Sequence, residues 1–91
     1  MQLFPVQKLL AESEEGGCAV AELPEGYDGP CVVEVHGRVT QRLGFPSVRE
    51  AVSAAKFAVG ALGGFYKAIV QPGKATDENT YARWSDWAFS A

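Results

Sequence analysis

The chain has 91 residues, a formal net charge of −3 and a hydrophobic content of 47%. This length predicts one domain, and this composition is too apolar for a disordered chain. The acidic balance argues against non-specific nucleic-acid binding, which depends on clustered lysine and arginine. No apolar run is long enough for a membrane span and no signal peptide is recognisable, so we expect a cytoplasmic protein that does not bind membranes.

The first apolar residues lie between a proline and a pair of glycines. Pro5 stands where the first turn of a helix tolerates proline, and Gly16-Gly17 stands where a helix commonly ends. This pattern predicts a short helix over Pro5–Glu15. A strand over Leu3–Leu9 is the alternative interpretation.

The next segments predict β-structure. Cys18–Leu23 has the apolar content of a strand, and the turn-forming run Pro24–Pro30 follows it. Cys31–Leu43 then predicts a β-hairpin whose turn lies near His36-Gly37.

The register of that hairpin depends on the length of its loop. A two-residue loop at His36-Gly37 mixes apolar and charged positions on one face. A three-residue loop over residues 35–37 pairs Val33 with Val39 and Glu34 with Arg38, and it places Gly37 where a left-handed backbone is wanted. The sequence favours the three-residue loop.

A helix is expected over Ser47–Leu62, opened by the capping box of Ser47 and Glu50 and ended by Gly63-Gly64. Its apolar positions recur on one face, and its small residues allow close approach to a sheet. The apolar positions are Val48, Ala51, Val52, Ala55, Ala58, Val59 and Leu62, and the small residues are Ala51, Ala54, Ala55 and Ala58.

The remainder predicts a strand over Phe65–Gln71, a polar loop, and a short helix over Tyr81–Phe89 capped near Thr76. The expected fold class is therefore α+β. We expect a small antiparallel sheet of three to four strands packed against one main helix, with short helices at both termini, in a single domain over residues 1–91.

Residues with catalytic chemistry are sparse. His36 falls in a predicted turn, and no third group is placed to orient it toward Cys31 as a dyad requires. The cysteine spacing fits no zinc motif. Cys18 and Cys31 could form one disulfide, but free, buried thiols are the expected state in a cytoplasmic protein. We therefore expect no enzyme activity, no metal and no cofactor.

Charge and aromatic residues mark the candidate binding surfaces. The first 36 residues hold seven acidic residues and one basic residue, Lys8. Partner contacts are predicted at two groups of positions. The acidic group is Glu12, Glu14, Glu15, Glu22, Glu25 and Asp28, and the aromatic and basic group is Tyr81, Trp84, Trp87, Arg49, Lys56 and Phe57.

Residues 5–62 resemble the double-stranded-RNA-binding domain. Pro5–Glu12 is similar to its first helix, Gly29-Pro30 to its first loop, and Ser47–Ala55 to the start of its last helix. The phosphate-binding lysines of that helix correspond here to Val48, Arg49 and Val52, so one base of three remains. The resemblance implies a degenerate member that has lost RNA contacts and binds protein.

In composition the chain also resembles small acidic inhibitors encoded by phages, including anti-CRISPR proteins. This resemblance implies a non-catalytic inhibitor or adaptor that covers a basic surface on a protein partner, such as a nucleic-acid-handling complex. The alternative is a nucleic-acid-binding domain using Arg38, Arg42, Arg49 and Lys56, although direct nucleic-acid binding is not favoured. The sequence is compatible with a monomer or a homodimer.

Overall fold

The computed structural model describes residues 5–37, 40–61 and 67–74. The predicted C-terminal helix over Tyr81–Phe89 lies outside these residues. In chain order the elements are β1 (Pro5–Glu12), β2 (Cys18–Pro24), β3 (Cys31–His36), β4 (Thr40–Phe45), α1 (Val48–Ala61) and β5 (Lys67–Pro72).

Within the described residues, the five strands form one sheet in the order β1-β2-β5-β3-β4. β2 and β5 run parallel, and every other neighbouring pair is antiparallel. The predicted α+β class and the main helix are confirmed. The sheet differs from the prediction because it has five strands and is mixed.

The predicted N-terminal helix is wrong, since Pro5–Glu12 forms a strand paired with β2. The register shifts between Leu9 and Ala11, which marks a β-bulge at Leu10. The bulge turns Leu10 and Ala11 toward the same hydrophobic core. Two neighbouring core residues break the period of two expected for a strand, and this produced the helix-like spacing in the sequence.

The two glycines after β1 form a hairpin turn. Ser13 donates its backbone N–H to the Gly17 carbonyl at 2.9 Å, and its Oγ accepts the Gly17 N–H at 2.9 Å. Gly16 has a φ of +93°, a conformation that side chains rarely allow. The glycines therefore reverse the chain between two strands.

The predicted strands at Cys18–Leu23, in the Cys31–Leu43 hairpin and at Phe65–Gln71 are confirmed within the described residues. The predicted hairpin register is wrong, because Glu34 pairs with Arg42 and His36 with Thr40. This register pairs Phe45 with Cys31 and buries it completely. Under the predicted register, Phe45 would have extended past the end of β3 and lost that burial.

α1 begins after Ser47, whose Oγ accepts the Glu50 N–H at 3.3 Å and whose carbonyl accepts the Ala51 N–H at 3.1 Å. The alanines predicted to face the sheet are fully buried, so the helix lies close to it. The core between them is Ala19, Ala21, Cys31, Val33, Val35, Phe45, Ala51, Ala54, Ala55, Ala58, Val59, Ala68 and Val70.

Candidate binding surface on the first hairpin

The sheet has a second face, opposite α1, which we call the far face. Successive side chains along a strand point to opposite faces of the sheet, and residues paired across strands share a face. Core residues and their paired residues therefore lie on the face under α1, and the alternate residues lie on the far face. Val20 and Val32 are 7% and 3% exposed but lie outside the core cluster around α1. Both residues therefore belong to the far face.

The register aligns one row of side chains across all five strands of the far face. Leu9 pairs with Val20, Val20 with Ile69, Ile69 with Glu34, and Glu34 with Arg42. The row is apolar on β1, β2 and β5 and charged on β3 and β4. Leu9, on the edge strand, is 54% exposed and is the one large hydrophobic residue exposed in the described part of the chain.

At the charged end of this row, Glu34 contacts two side chains. Glu34 Oε1 lies 2.5 Å from His36 Nε2, and Glu34 Oε2 lies 3.3 Å from Arg42 Nε. The Arg42 side chain is half exposed, so solvent screens the pair and limits its contribution to stability. Glu34 nevertheless offsets the charge of Arg42 locally, and Lys67, which pairs with His36, adds a second basic residue to this part of the far face.

The predicted acidic residues separate into two clusters. Glu12, Glu14 and Glu15 are exposed at the β1–β2 turn. Glu22 lies on β2, and the exposed Glu25 and Asp28 lie in the loop beyond its other end. Glu12 pairs with Cys18 and Glu22 lies four residues further along β2, so about 13 Å of strand separates the clusters. Leu9 and Val20 lie between them.

The loop carrying the second cluster is held by hydrogen bonds. Tyr27 donates its backbone N–H to the Pro24 carbonyl at 3.0 Å, and Gly26 takes a φ of +77° in this turn. The Tyr27 hydroxyl donates to the Pro30 carbonyl. These contacts fix the loop backbone and keep Glu25 and Asp28 on its outer side.

The other predicted contact residues do not join this surface. Arg49 and Lys56 are exposed and Phe57 is half-buried on α1, which covers the opposite face of the sheet. Tyr81, Trp84 and Trp87 lie outside the described residues. Sequence reasoning did not identify Leu9 as a surface residue, because Val6, Leu9 and Leu10 were grouped as the apolar residues of the predicted helix.

The two cysteines are free and lie on different faces of the sheet. Burial raises the pKa of the Cys31 thiol from 9.0 to about 11, which disfavours the nucleophilic thiolate. Cys18 is only half-buried, so the expectation of two buried thiols holds for Cys31 alone. Residues 5–37, 40–61 and 67–74 contain no group of three or more potential ligands that could hold a metal ion.

Among the described helices there is none with the length and apolarity needed to cross a membrane. Comparison with family models, curated proteins and solved structures found no match to this chain.

Proposed function

We propose that the chain is a non-catalytic protein-binding module, an inhibitor or adaptor that engages a basic partner surface through its first hairpin. The binding surface consists of the exposed Leu9 and the two acidic clusters on either side of it. Leu9 is the apolar anchor. The acidic clusters steer the hairpin toward lysine and arginine on the partner.

The exposure of Leu9 is the observation that carries this proposal. Leu9 is 54% exposed on the edge strand and is not part of the core. Its partner Val20 on β2 extends the apolar row toward the centre of the sheet. Protein interfaces commonly combine an apolar centre with a polar rim. The arrangement of Leu9 between Glu12 and Glu22 matches that pattern on a surface about 13 Å long.

The nucleic-acid alternative has no comparable support. Its described basic residues do not share a surface, because Arg42 lies on the far face beside Glu34 whereas Arg49 and Lys56 lie on α1. A phosphate backbone needs several cations in one groove or stripe. The exposed acidic residues of the first hairpin would repel it.

Affinity capture from cells that encode the chain, followed by titration of the purified partner, tests the proposal. Leu9→Arg places a positive charge in the apolar centre, and we expect partner affinity to fall about tenfold or more. Ser53→Arg is the matched control, because Ser53 is exposed on the outer side of α1. Unchanged affinity in Leu9→Arg, with both variants folded, would refute the proposal.

The acidic clusters are tested separately through salt dependence. Charge reversal of Glu12, Glu14 and Glu15 to lysine, and of Glu25 and Asp28 to lysine in a second variant, should weaken binding. It should also flatten the loss of affinity with added salt. In the same titration, Trp87→Ala tests the predicted aromatic anchor, which lies outside the described residues.

A further inference from the structure

Val32 is buried on the far face although two of its neighbours there are glycines. It pairs with Gly44 on β4, and a Cβ added to Gly73 would lie 2.7 Å from Val32 Cγ2. Neither glycine has a side chain that could shield Val32, yet Val32 is 3% exposed and Gly44 is buried as well. Gln71, its partner on β5, shields one flank only, so the low exposure of Val32 and Gly44 indicates a cover over this part of the far face.

Among the residues that the structure describes, no helix or strand provides this cover. The five strands form one sheet, and α1 packs with the core cluster on the opposite side. The cover must therefore come from another part of the chain. The remaining segments are residues 1–4, 38–39, 62–66 and 75–91.

Three of these segments adjoin the sheet far from Val32 and Gly44. Residues 38–39 and 62–66 connect to the opposite ends of β3 and β5, four residues or about 13 Å along the strands. Residues 1–4 precede β1, which lies four strand spacings or about 19 Å from Gly44 on β4, and four extended residues span at most about 14 Å. These distances exclude all three segments as the cover.

We propose that residues 75–91 fold back over the far face and cover Val32 and Gly44. The segment begins two residues after Gly73, whose N–H donates to the Pro30 carbonyl at 3.2 Å and so holds the end of β5 next to Val32. It therefore starts beside the residues that need the cover. This inference is independent of the partner-binding surface on the first hairpin.

The segment also has the apolar side chains that such a cover needs. Its aromatic residues can each bury about 150–250 Å², and they are Tyr81, Trp84, Trp87 and Phe89. The helix predicted from the sequence over Tyr81–Phe89 would be about 13 Å long, which equals the length of β3 from Val32 to His36. Trp84 is the middle member of the row formed by Tyr81, Trp84 and Trp87, so we assign its ring to the site over Val32.

Tryptophan fluorescence tests whether Trp84 is covered. Trp84 and Trp87 are the two tryptophans of the chain, so Trp87→Phe leaves Trp84 as the single reporter. In the folded full-length chain, we expect Trp84 to emit at shorter wavelength than in a synthetic peptide of residues 75–91. We also expect iodide to quench it several-fold less than in the peptide. Emission and quenching equal to those of the peptide would overturn the proposal.

Two further measurements test which face the ring covers. In the unmodified chain, nuclear Overhauser effects should connect the Trp84 indole with the methyl groups of Val32. In the Trp87→Phe background, Val32→Ala should increase the quenching of Trp84 by iodide, whereas the matched change Val52→Ala on α1 should leave it unaltered. Circular dichroism confirms that both variants fold. Indole contacts with Val52 in place of Val32, or equal quenching in the two variants, would refute the assignment to the far face.

Discussion

The face of the sheet under α1 and the far face use the same five strands for different purposes. Under α1, strands β2, β3 and β5 contribute small or β-branched side chains that are almost completely buried, and β4 contributes Phe45, the largest buried side chain. Across the far face, one row changes from apolar at Leu9 to ionic at Arg42. The first face holds the core cluster around α1, and the second combines the buried Val20 and Val32 with the exposed Leu9 and Arg42.

This contrast also explains the composition of the helix. Four fully buried alanines bring α1 close to the sheet. Because these side chains are small, most of the apolar volume between the helix and the sheet comes from the strands. On the far face, exposed positions such as Leu9 have no such constraint on residue size. Substitutions that add or remove volume should therefore lower the free energy of unfolding more at buried core positions than at exposed positions.

Deletion of a large side chain should give the largest difference in stability between the two faces. Phe45→Ala removes a fully buried ring, and we expect it to lower the free energy of unfolding by about 3–5 kcal/mol. Leu9→Ala removes a side chain that is 54% exposed and should cost less than about 1 kcal/mol. Urea unfolding of both variants measures the difference, and equal losses would contradict the assignment of the core.

Addition of volume should give the next largest effect. Ala55→Leu forces extra methylene and methyl groups between α1 and the sheet, and we expect a loss of about 1–3 kcal/mol. Ser53→Leu makes a similar change on the exposed side of the same helix and should alter stability by about 0.5 kcal/mol or less. Thermal melts compare the two. A stable Ala55→Leu variant would mean that the helix does not lie close to the sheet.

The smallest expected effect is the pH dependence of the free energy of unfolding that arises from Cys31. The pKa of Cys31 is about 11 in the folded chain and 9.0 unperturbed, so the folded state holds this proton to higher pH. Its contribution is complete below pH 9.0 and is lost as pH rises toward about 11, by an amount on the order of 1–2 kcal/mol. The free energy of unfolding is measured for the wild type and for Cys31→Ala across this pH range, and the difference between their pH dependences gives the contribution of the Cys31 thiol.

Thiol alkylation gives an independent check on the same pair. Cys18 is half-buried on the far face and should react first with a maleimide under native conditions. Cys31 should react only after the chain opens, since its side chain is fully buried. Equal rates at the two positions would contradict the assignment of the cysteines to opposite faces.

Local patterns in the sequence predict much of this fold. The helix over Val48–Ala61 was recognisable because its capping residue, its apolar period and its small residues agree with one another. The strand at Cys18–Pro24 and the β3–β4 hairpin also have local signals. The parallel pairing of β2 with β5 has no local signal, because β3, β4 and α1 separate the two strands in the chain and the pairing forms only in the complete fold.

The candidate site was predictable only in part. Acidic residues can be counted along a sequence, but their separation into two clusters depends on whether Pro5–Glu12 is a helix or a strand. The strand with its bulge at Leu10 contradicts the predicted helix, and it places Leu9 on the surface. A single inserted residue thus changed both the secondary structure and the chemistry of the surface.

The position of β5 sets the order in which the chain can complete its fold. β5 is the last described strand in the sequence, yet it lies in the centre of the sheet between β2 and β3. During synthesis, the first four strands emerge as two separate ribbons with four unpaired edges between them. The two ribbons can join into one sheet only after β5, which ends at Pro72, has left the ribosome. A nascent chain stopped earlier therefore exposes unpaired strands of the kind that chaperones bind.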